Sequence, residues 1–140
     1  MTAMTVQRFE EIYFDGVADM VAHARSSLRR TSARAAFQEA IAGTGVIIDI
    51  RSERQRAAQG AVPPLLGAVV VERNELEPRL DPRSATRLPF ADHAARVIVL
   101  CSDGEASSLA AASLRQLGVA QATDVIGGFA AWCEAGMPVG

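Results

Sequence analysis

The sequence predicts a single-domain α/β protein built on a parallel sheet with crossover helices. Three observations carry that reading. Two nearly continuous aliphatic runs, "VIIDI" at residues 46–50 and "RVIVLC" at 96–101, have strand length and little polar alternation, the pattern of strands buried on both faces. Segments of helical periodicity separate them from each other and from further strand-like runs, as parallel pairing requires. A length of 140 residues fits one compact core and leaves little room for a second.

Taken in order, the first 25 residues place Val6, Phe9, Ile12, Tyr13, Val17, Met20 and Val21 at helical spacing, predicting one or two amphipathic helices interrupted at Asp15 and Gly16. "SSLRR" at 26–30 predicts a short strand. Thr31 or Ser32 caps a helix running to about Ala42, with Ala36, Phe37, Ala40 and Ile41 turned inward, and "GTG" stops it. After the central strand at 46–50, "RSERQRAAQG" predicts a short polar helix capped by Ser52, with Glu53 at its positive end. Pro63 and Pro64 break regularity, and "GAVVVE" supplies another strand. Residues 73–92 hold three prolines and many polar side chains, and predict a long ordered connection with one helical turn. The strand at 96–101 leads into a helix reaching about Leu117, closed by Gly118 in the left-handed conformation. "ATDVIGG" is a fourth sheet element and "FAAWCEAG" a last short helix. The chain is thus divided into an N-terminal helical extension, residues 1–27, packed on a domain over 28–140.

Composition narrows the function classes. A hydrophobic fraction of 49% with 21% charged residues describes a folded core. A net charge of -2 gives no field that would gather nucleic acid or an anionic membrane. The arginines of "RSSLRR" and "RSERQR" lack interleaved aromatic residues and read as solvated faces, so no nucleic-acid partner is expected. No apolar run approaches the roughly 18 residues of a membrane span. The N-terminus lacks a basic segment followed by an apolar one, which leaves a cytoplasmic protein as the expectation. Two cysteines, Cys101 and Cys133, make no disulfide framework.

Cys101 stands at the carboxyl end of an aliphatic strand, just before "SDGEASSL". In open α/β sheets ligands gather beyond the carboxyl ends of the strands. The N–H groups of a loop and of the first helical turn have no partner within the helix. Curled around a sulfur, they stabilise a thiolate, a persulfide or an oxyanion. Gly104 allows positive φ, and Ser102, Ser107 and Ser108 offer hydroxyl donors. The same residues also fit a plainer account, a small apolar side chain closing a strand. The residues alone leave both readings open.

Three stretches together resemble the rhodanese family of sulfurtransferases, over roughly residues 28–139. "VIIDIRSERQRAAQGAVP" is similar to a family strand ending in Asp-x-Arg, followed by a helix and a Gly-x-Ile/Val-Pro turn, at Asp49, Arg51, Gly60, Val62 and Pro63. "VIVLCSDGEASSLAAASLRQLG" resembles the strand, cysteine loop and following helix. "VIGGFAAWCEAGMPV" resembles the terminal Gly-Gly-Phe-x-x-Trp-x-x-x-Gly-x-Pro-Val signature, through Gly127, Gly128, Phe129, Trp132, Gly136, Pro138 and Val139. The resemblance implies a three-layer α/β/α fold with a five-stranded, mostly parallel sheet. It implies Cys101 as the nucleophile that holds sulfur as a persulfide, within a loop of Ser102, Asp103, Gly104, Glu105, Ala106 and Ser107. The implied partners are a small sulfur donor or a protein persulfide donor, and a thiol acceptor. No metal or organic cofactor is required. Asp49 and Arg51 are expected to brace adjacent loops, and Gly127, Gly128 and Trp132 to shape and pack the sheet edge.

Two departures bear on the donor. Thiosulfate-using members often read Cys-x-x-Gly-x-Arg-Ser, whereas "CSDGEAS" places Ala106 at the arginine position and adds Asp103 and Glu105. An arginine fork would grip a dianion. Alanine supplies no charge, and inward carboxylates would repel thiosulfate while outward ones would be spectators. The related phosphatase architecture needs an arginine to grip phosphate, which neither Ala106 nor Ser107 provides. The second departure is "AVPPLLGA", where Ala61 replaces a frequent histidine and Pro64, Leu65 and Leu66 are inserted, expected to pack over the sheet edge or form an apolar patch for a partner. His23 and His93 are expected on the surface, and Cys133 to be a small buried side chain rather than a resolving thiol. A homodimer through Phe9, Ile12 and Tyr13 is the expected role of the extension if it does not simply cover the domain.

Overall fold

The computed structural model describes residues 13–140. The expected helix around Val6, Phe9 and Ile12 lies outside the described residues, and Tyr13 at their start is 80% exposed. Helix α1, Val17–Arg25, begins directly after Gly16, so the interruption expected there sits at its start. Its first turn carries Asp19 and its last turn Arg25, charges that complement the helix dipole. Val21 and Ala24 are buried on the side facing the helix that follows the cysteine loop.

The strand expected at 26–30 does not form. The N–H groups of Ser26 and Leu28 donate back to carbonyls of α1, Leu28 to Arg25 at 3.0 Å, so the chain is still turning at residue 28. Too few residues remain for a ladder. What survives is one parallel bridge, Thr31 to Val125. The sheet therefore has four strands in the order β2-β1-β3-β4 rather than five, with Thr31 standing where the fifth would be.

Ser32, of the two candidate caps, takes the position before α2, Ala33–Ala42: its hydroxyl accepts from the Ala35 N–H at 3.1 Å. Ala33, Ala36, Phe37 and Ala40 make the inner stripe at i, i+3, i+4 and i+7, whereas Ile41, expected inward, falls beyond its edge and is 59% exposed. Strand β1, Val46–Asp49, pairs in parallel with β2, Val69–Val70, and with β3, Val97–Leu100. Between β1 and β2 lies α3, Glu53–Gln59, which opens with a reciprocal capping box of Ser52 and Gln55. A 3₁₀ turn, Pro64–Leu66, follows. It splits the insertion: Leu66 packs into the core and Leu65 is 85% exposed.

The connection after β2 has more structure than one turn. A 3₁₀ turn, Arg73–Glu75, runs into α4, Leu76–Leu80, whose Leu76 and Leu80 are buried despite the polar average of the segment. Helix α5, Ala106–Gln116, ends at Gly118 with φ 93, where the N–H groups of Gly118 and Val119 donate to the carbonyls of Arg115 and Leu114. That is the paired closure for which a glycine is favoured. Strand β4, Thr123–Asp124, and α6, Gly128–Glu134, complete the order.

Alternation along β3 explains the three layers. Val97 and Val99 join the cluster containing Ile48, Leu76, Leu80, Ala110 and Leu114. Ile98 and Leu100 join Ala36, Ile47, Phe129 and Trp132 on the other face. All four β3 residues are fully buried, so each side of the strand drives burial against its own helical layer. Among the described residues no helix is long and apolar enough to cross a membrane.

Candidate active site

Leaving β3 at Leu100, the chain turns sharply around the Cys101 sulfur. The Gly104 N–H donates to Sγ at 3.1 Å and the Ser107 N–H at 3.3 Å. Ser107 lies in the first turn of α5, so one of these donors belongs to the otherwise unpaired amides at a helix start. Gly104 has φ 89, which lets its N–H reach the sulfur without the penalty a side chain would carry. Cys101 is 5% exposed, the sulfur sitting at the floor of a cleft.

The expected hydroxyl donors do not reach that sulfur. Ser107 and Ser108 both donate to Asp124 Oδ2 at 2.8 Å, and Ser102 donates to Gln59 Oε1 at 3.2 Å. The fully buried Asp124 carboxylate explains the diversion: it requires donors from every neighbour. Backbone amides alone donate to the sulfur.

The cleft above Cys101 measures about 360 Å³ and is lined by Ile50, Arg51, Gln55, Arg73 and the loop residues Asp103, Glu105 and Ala106. Asp103, Glu105 and Ala106 are all exposed. Asp103 folds back, accepting from the Glu105 N–H at 3.0 Å and lying 3.8 Å from Sγ as an acceptor for the thiol. A larger cleft of about 570 Å³ lies at the amino ends of β3 and β4 between Arg29, Arg96 and Arg115. No cysteine lines it.

Asp49 and Arg51 form a buried pair at the carboxyl end of β1, the end of the sheet that carries Cys101. Arg51 Nη2 meets Asp49 Oδ2 at 2.7 Å and Nε meets Oδ1 at 3.0 Å. Its remaining nitrogen, Nη1, donates to the Gly60 carbonyl at 2.9 Å and to Gln59 Oε1 at 3.2 Å, while the guanidinium lies 3.9 Å from the centre of the Phe129 ring. One side chain thus joins the ends of β1, α3 and α6. Gln59 passes the connection to Ser102.

Gly127 and Gly128 stand against the cysteine loop rather than only at the sheet edge. A Cβ on Gly128 would lie 2.5 Å from the Cys101 carbonyl oxygen and 2.7 Å from the Gly104 nitrogen. A Cβ on Gly104 would lie 2.7 Å from the Gly127 nitrogen. The start of α6 also serves the loop directly: the Phe129 N–H donates to the Cys101 carbonyl at 2.8 Å and the Ala130 N–H to that of Ser102 at 3.0 Å. Trp132 is fully buried, its indole N–H on the Pro138 carbonyl at 2.8 Å.

Three participants escaped the sequence reading. Arg30 pairs with Asp124 through two bonds, at 2.8 and 3.1 Å, and Arg25 donates to Ser108 Oγ and to the Gly104 carbonyl, both at 2.9 Å. The available signal was an acid within the apolar "ATDVIGG", since a buried carboxylate demands a cation. Cys133, expected to be buried, is exposed on α6. The adjacent Trp132 fills the core-facing direction, which leaves its neighbour on the outer side. His23 and His93 are both exposed, as expected, with His23 against the Phe14 ring. Among the described residues no three His, Cys, Asp or Glu side chains converge to hold a metal ion.

Comparison with known proteins follows the same lines. Residues 30–135 match the sequence model of the Rhodanese-like domain. No curated protein matches the chain. A Rhodopseudomonas palustris structure, described as a protein of unknown function and "possible tyrosine phosphatase", is 29% identical with a TM-score of 0.80, covering 92% of this chain and 97% of that one. A polysulfide-sulfur transferase homodimer from Wolinella succinogenes is 24% identical with a TM-score of 0.69, over 86% of this chain and 83% of that one. A human single-domain sulfurtransferase is likewise 24% identical, with a TM-score of 0.59 over 75% of this chain and 95% of that one. The last two likenesses speak for the fold. With its matched segment running from the bridge at Thr31 through the cysteine loop to the end of α6, the chain belongs to the rhodanese-like domain family.

Proposed function

We propose that this chain is a sulfurtransferase that carries sulfane sulfur as a persulfide on Cys101. The observation that supports it is the pair of backbone amides on Sγ, from Gly104 and Ser107, at the floor of an open cleft. The Cys101 thiolate attacks the outer sulfur of a donor persulfide, forming a new S–S bond. The donor's own S–S bond breaks and its electron pair leaves on the donor thiolate. An acceptor thiolate then attacks the outer sulfur now held on Cys101 and releases the Cys101 thiolate, so no external oxidant or reductant enters. The amides stabilise the anionic sulfur at each stage without having to reorient.

The cleft favours a persulfide, on a small molecule or on a protein, over thiosulfate. Ala106 contributes no cation, Asp103 and Glu105 add two carboxylates to its lining, and the two arginines there, Arg51 and Arg73, are already paired with Asp49 and Glu77. A reducing, cytoplasmic setting suits such a free thiol. In a Cys133→Ser background, because Cys133 is a second, exposed thiol, intact and peptide mass measurement after incubation with each donor should show one added sulfur atom on Cys101 and none once Cys101→Ser is added. No adduct from either donor type would replace this reading with that of a rhodanese-fold binding or regulatory module. Phosphatase activity is the weaker alternative, because no loop arginine is present to grip a phosphate. A homodimer through the N-terminal segment is the proposed assembly; gel filtration of the full chain and a shortened one should differ in apparent subunit number.

A further inference from the structure

We infer that Arg25 is a positioning residue for the cysteine loop, supplied by a helix outside the segment that matches the family. The inference rests on the sulfur-transfer reading of Cys101. Helix α1 ends at Arg25, before the matched residues 30–135 begin.

The geometry turns on Gly104. Its N–H faces the sulfur, and its carbonyl faces away and accepts from Arg25 Nη2 at 2.9 Å and Arg30 Nη2 at 3.2 Å, with the Ser108 hydroxyl oxygen 3.1 Å away. A glycine at φ 89 has little intrinsic preference for this orientation over others. Fixing its carbonyl therefore fixes the following peptide plane and holds the chain that carries the sulfur-facing amide. The two arginines are not equivalent. Arg30 is committed to Asp124 by two bonds and its charge is matched there. Arg25 meets no carboxylate among the described residues; its contacts are the Gly104 carbonyl and the Ser108 hydroxyl oxygen, the latter through Nε at 2.9 Å. By donating to Ser108 Oγ, Arg25 orients the single hydroxyl proton of Ser108 toward Asp124. Arg25 thus orders both the loop and the carboxylate network behind it. A cation is also favoured in the last turn of α1 by the helix dipole. The guanidinium absent at Ala106, on the cleft side, has a counterpart behind the loop that orients amides instead of gripping a donor.

The test uses full-length protein in a Cys133→Ser background, because Cys133 is exposed and would itself be modified. Arg25→Ala, Arg25→Lys and Val21→Ala are compared. The readouts are the alkylation rate of Cys101 by uncharged iodoacetamide at fixed pH, kcat and KM for sulfur transfer from a small persulfide donor, and the melting temperature. Arg25→Ala should slow alkylation and lower kcat by about fivefold, the effect of one ordinary hydrogen bond, with little change in KM. Arg25→Lys should recover most of both, since an ammonium still reaches one acceptor. Val21→Ala loosens the packing of α1 and should lower the melting temperature without slowing alkylation. Arg25→Gln, too short to span both acceptors, substitutes if the alanine variant does not fold. Unchanged alkylation in the Arg25 variants, or a loss that follows melting temperature across all variants including Val21→Ala, would overturn the assignment. A wild-type protein that transfers no sulfur overturns the functional reading alone, because alkylation still decides the role of Arg25.

Discussion

Asp124 gathers two bonds from Arg30 and one each from Ser107 and Ser108 while fully buried. Asp124→Ala leaves the Arg30 charge without its partner and should cost about 3–5 kcal/mol in urea unfolding. Gly128→Ala should cost about 2–5 kcal/mol, because an alanine would be strained at φ 61 and would press on the Cys101 carbonyl. At the rim, Ala106→Arg should raise kcat/KM for thiosulfate about tenfold, the size of one charge-assisted bond; no gain would show that the lost cation is not what limits that donor. At this scale the loop turning around the Cys101 sulfur and the positive φ of Gly104 were legible, because a thiol at a strand end and a flexible glycine are identifiable as single letters in a short run. Arg25 and Arg30 were not. Their partners lie 74 or more positions away, and a local reading sees only charged residues that appear free to face solvent.

Helix α3 shows how an element with no buried residue is held. It has seven residues, none of them in the core, so its ends matter more than its faces. Ser52→Ala removes the cap and should cost about 1 kcal/mol, with faster hydrogen exchange concentrated in residues 55–59. Gln59 at its end links Arg51 to Ser102, so the same variant should loosen the loop carrying Cys101. Strands β1 and β3 were legible because burial on both faces writes itself as an unbroken aliphatic run. The strand at 26–30 was misread because nothing in "SSLRR" reveals that α1 continues into turns. The α4 segment was underestimated for the opposite reason: two leucines at i and i+4 anchor it, and the polar residues around them mask the spacing.

Across the whole molecule, Glu39 on α2 and Arg96 at the entry to β3 join sequence-distant elements through two bonds of 2.9 Å. The Arg96 hydrogen bond, aided by its charge and opposed by burial, holds the Glu39 carboxyl below its ordinary value of 4.5. The carboxylate is therefore favoured in the folded state. Its contribution is complete above 4.5 and is lost as pH falls through the lower folded value. Glu39→Gln should reduce neutral-pH stability by up to about 1 kcal/mol, and its difference from wild type should vanish as the solution is acidified below 4.5. The parallel α/β plan was legible from the order of strands and helices and its three layers from the family resemblance, but the truncated sheet edge was not, since it depends on how far one turn extends. The contact of Gly104 with Gly127 and Gly128 has a consequence for how such a protein can change. Loop and helix meet backbone to backbone, so no side chain is available there to absorb a substitution. In a mutational scan the three positions should tolerate almost nothing singly, while Ala106, on the open side, should accept many residues. New donor preferences would then arise at the rim, over a foundation that leaves descent no room to vary.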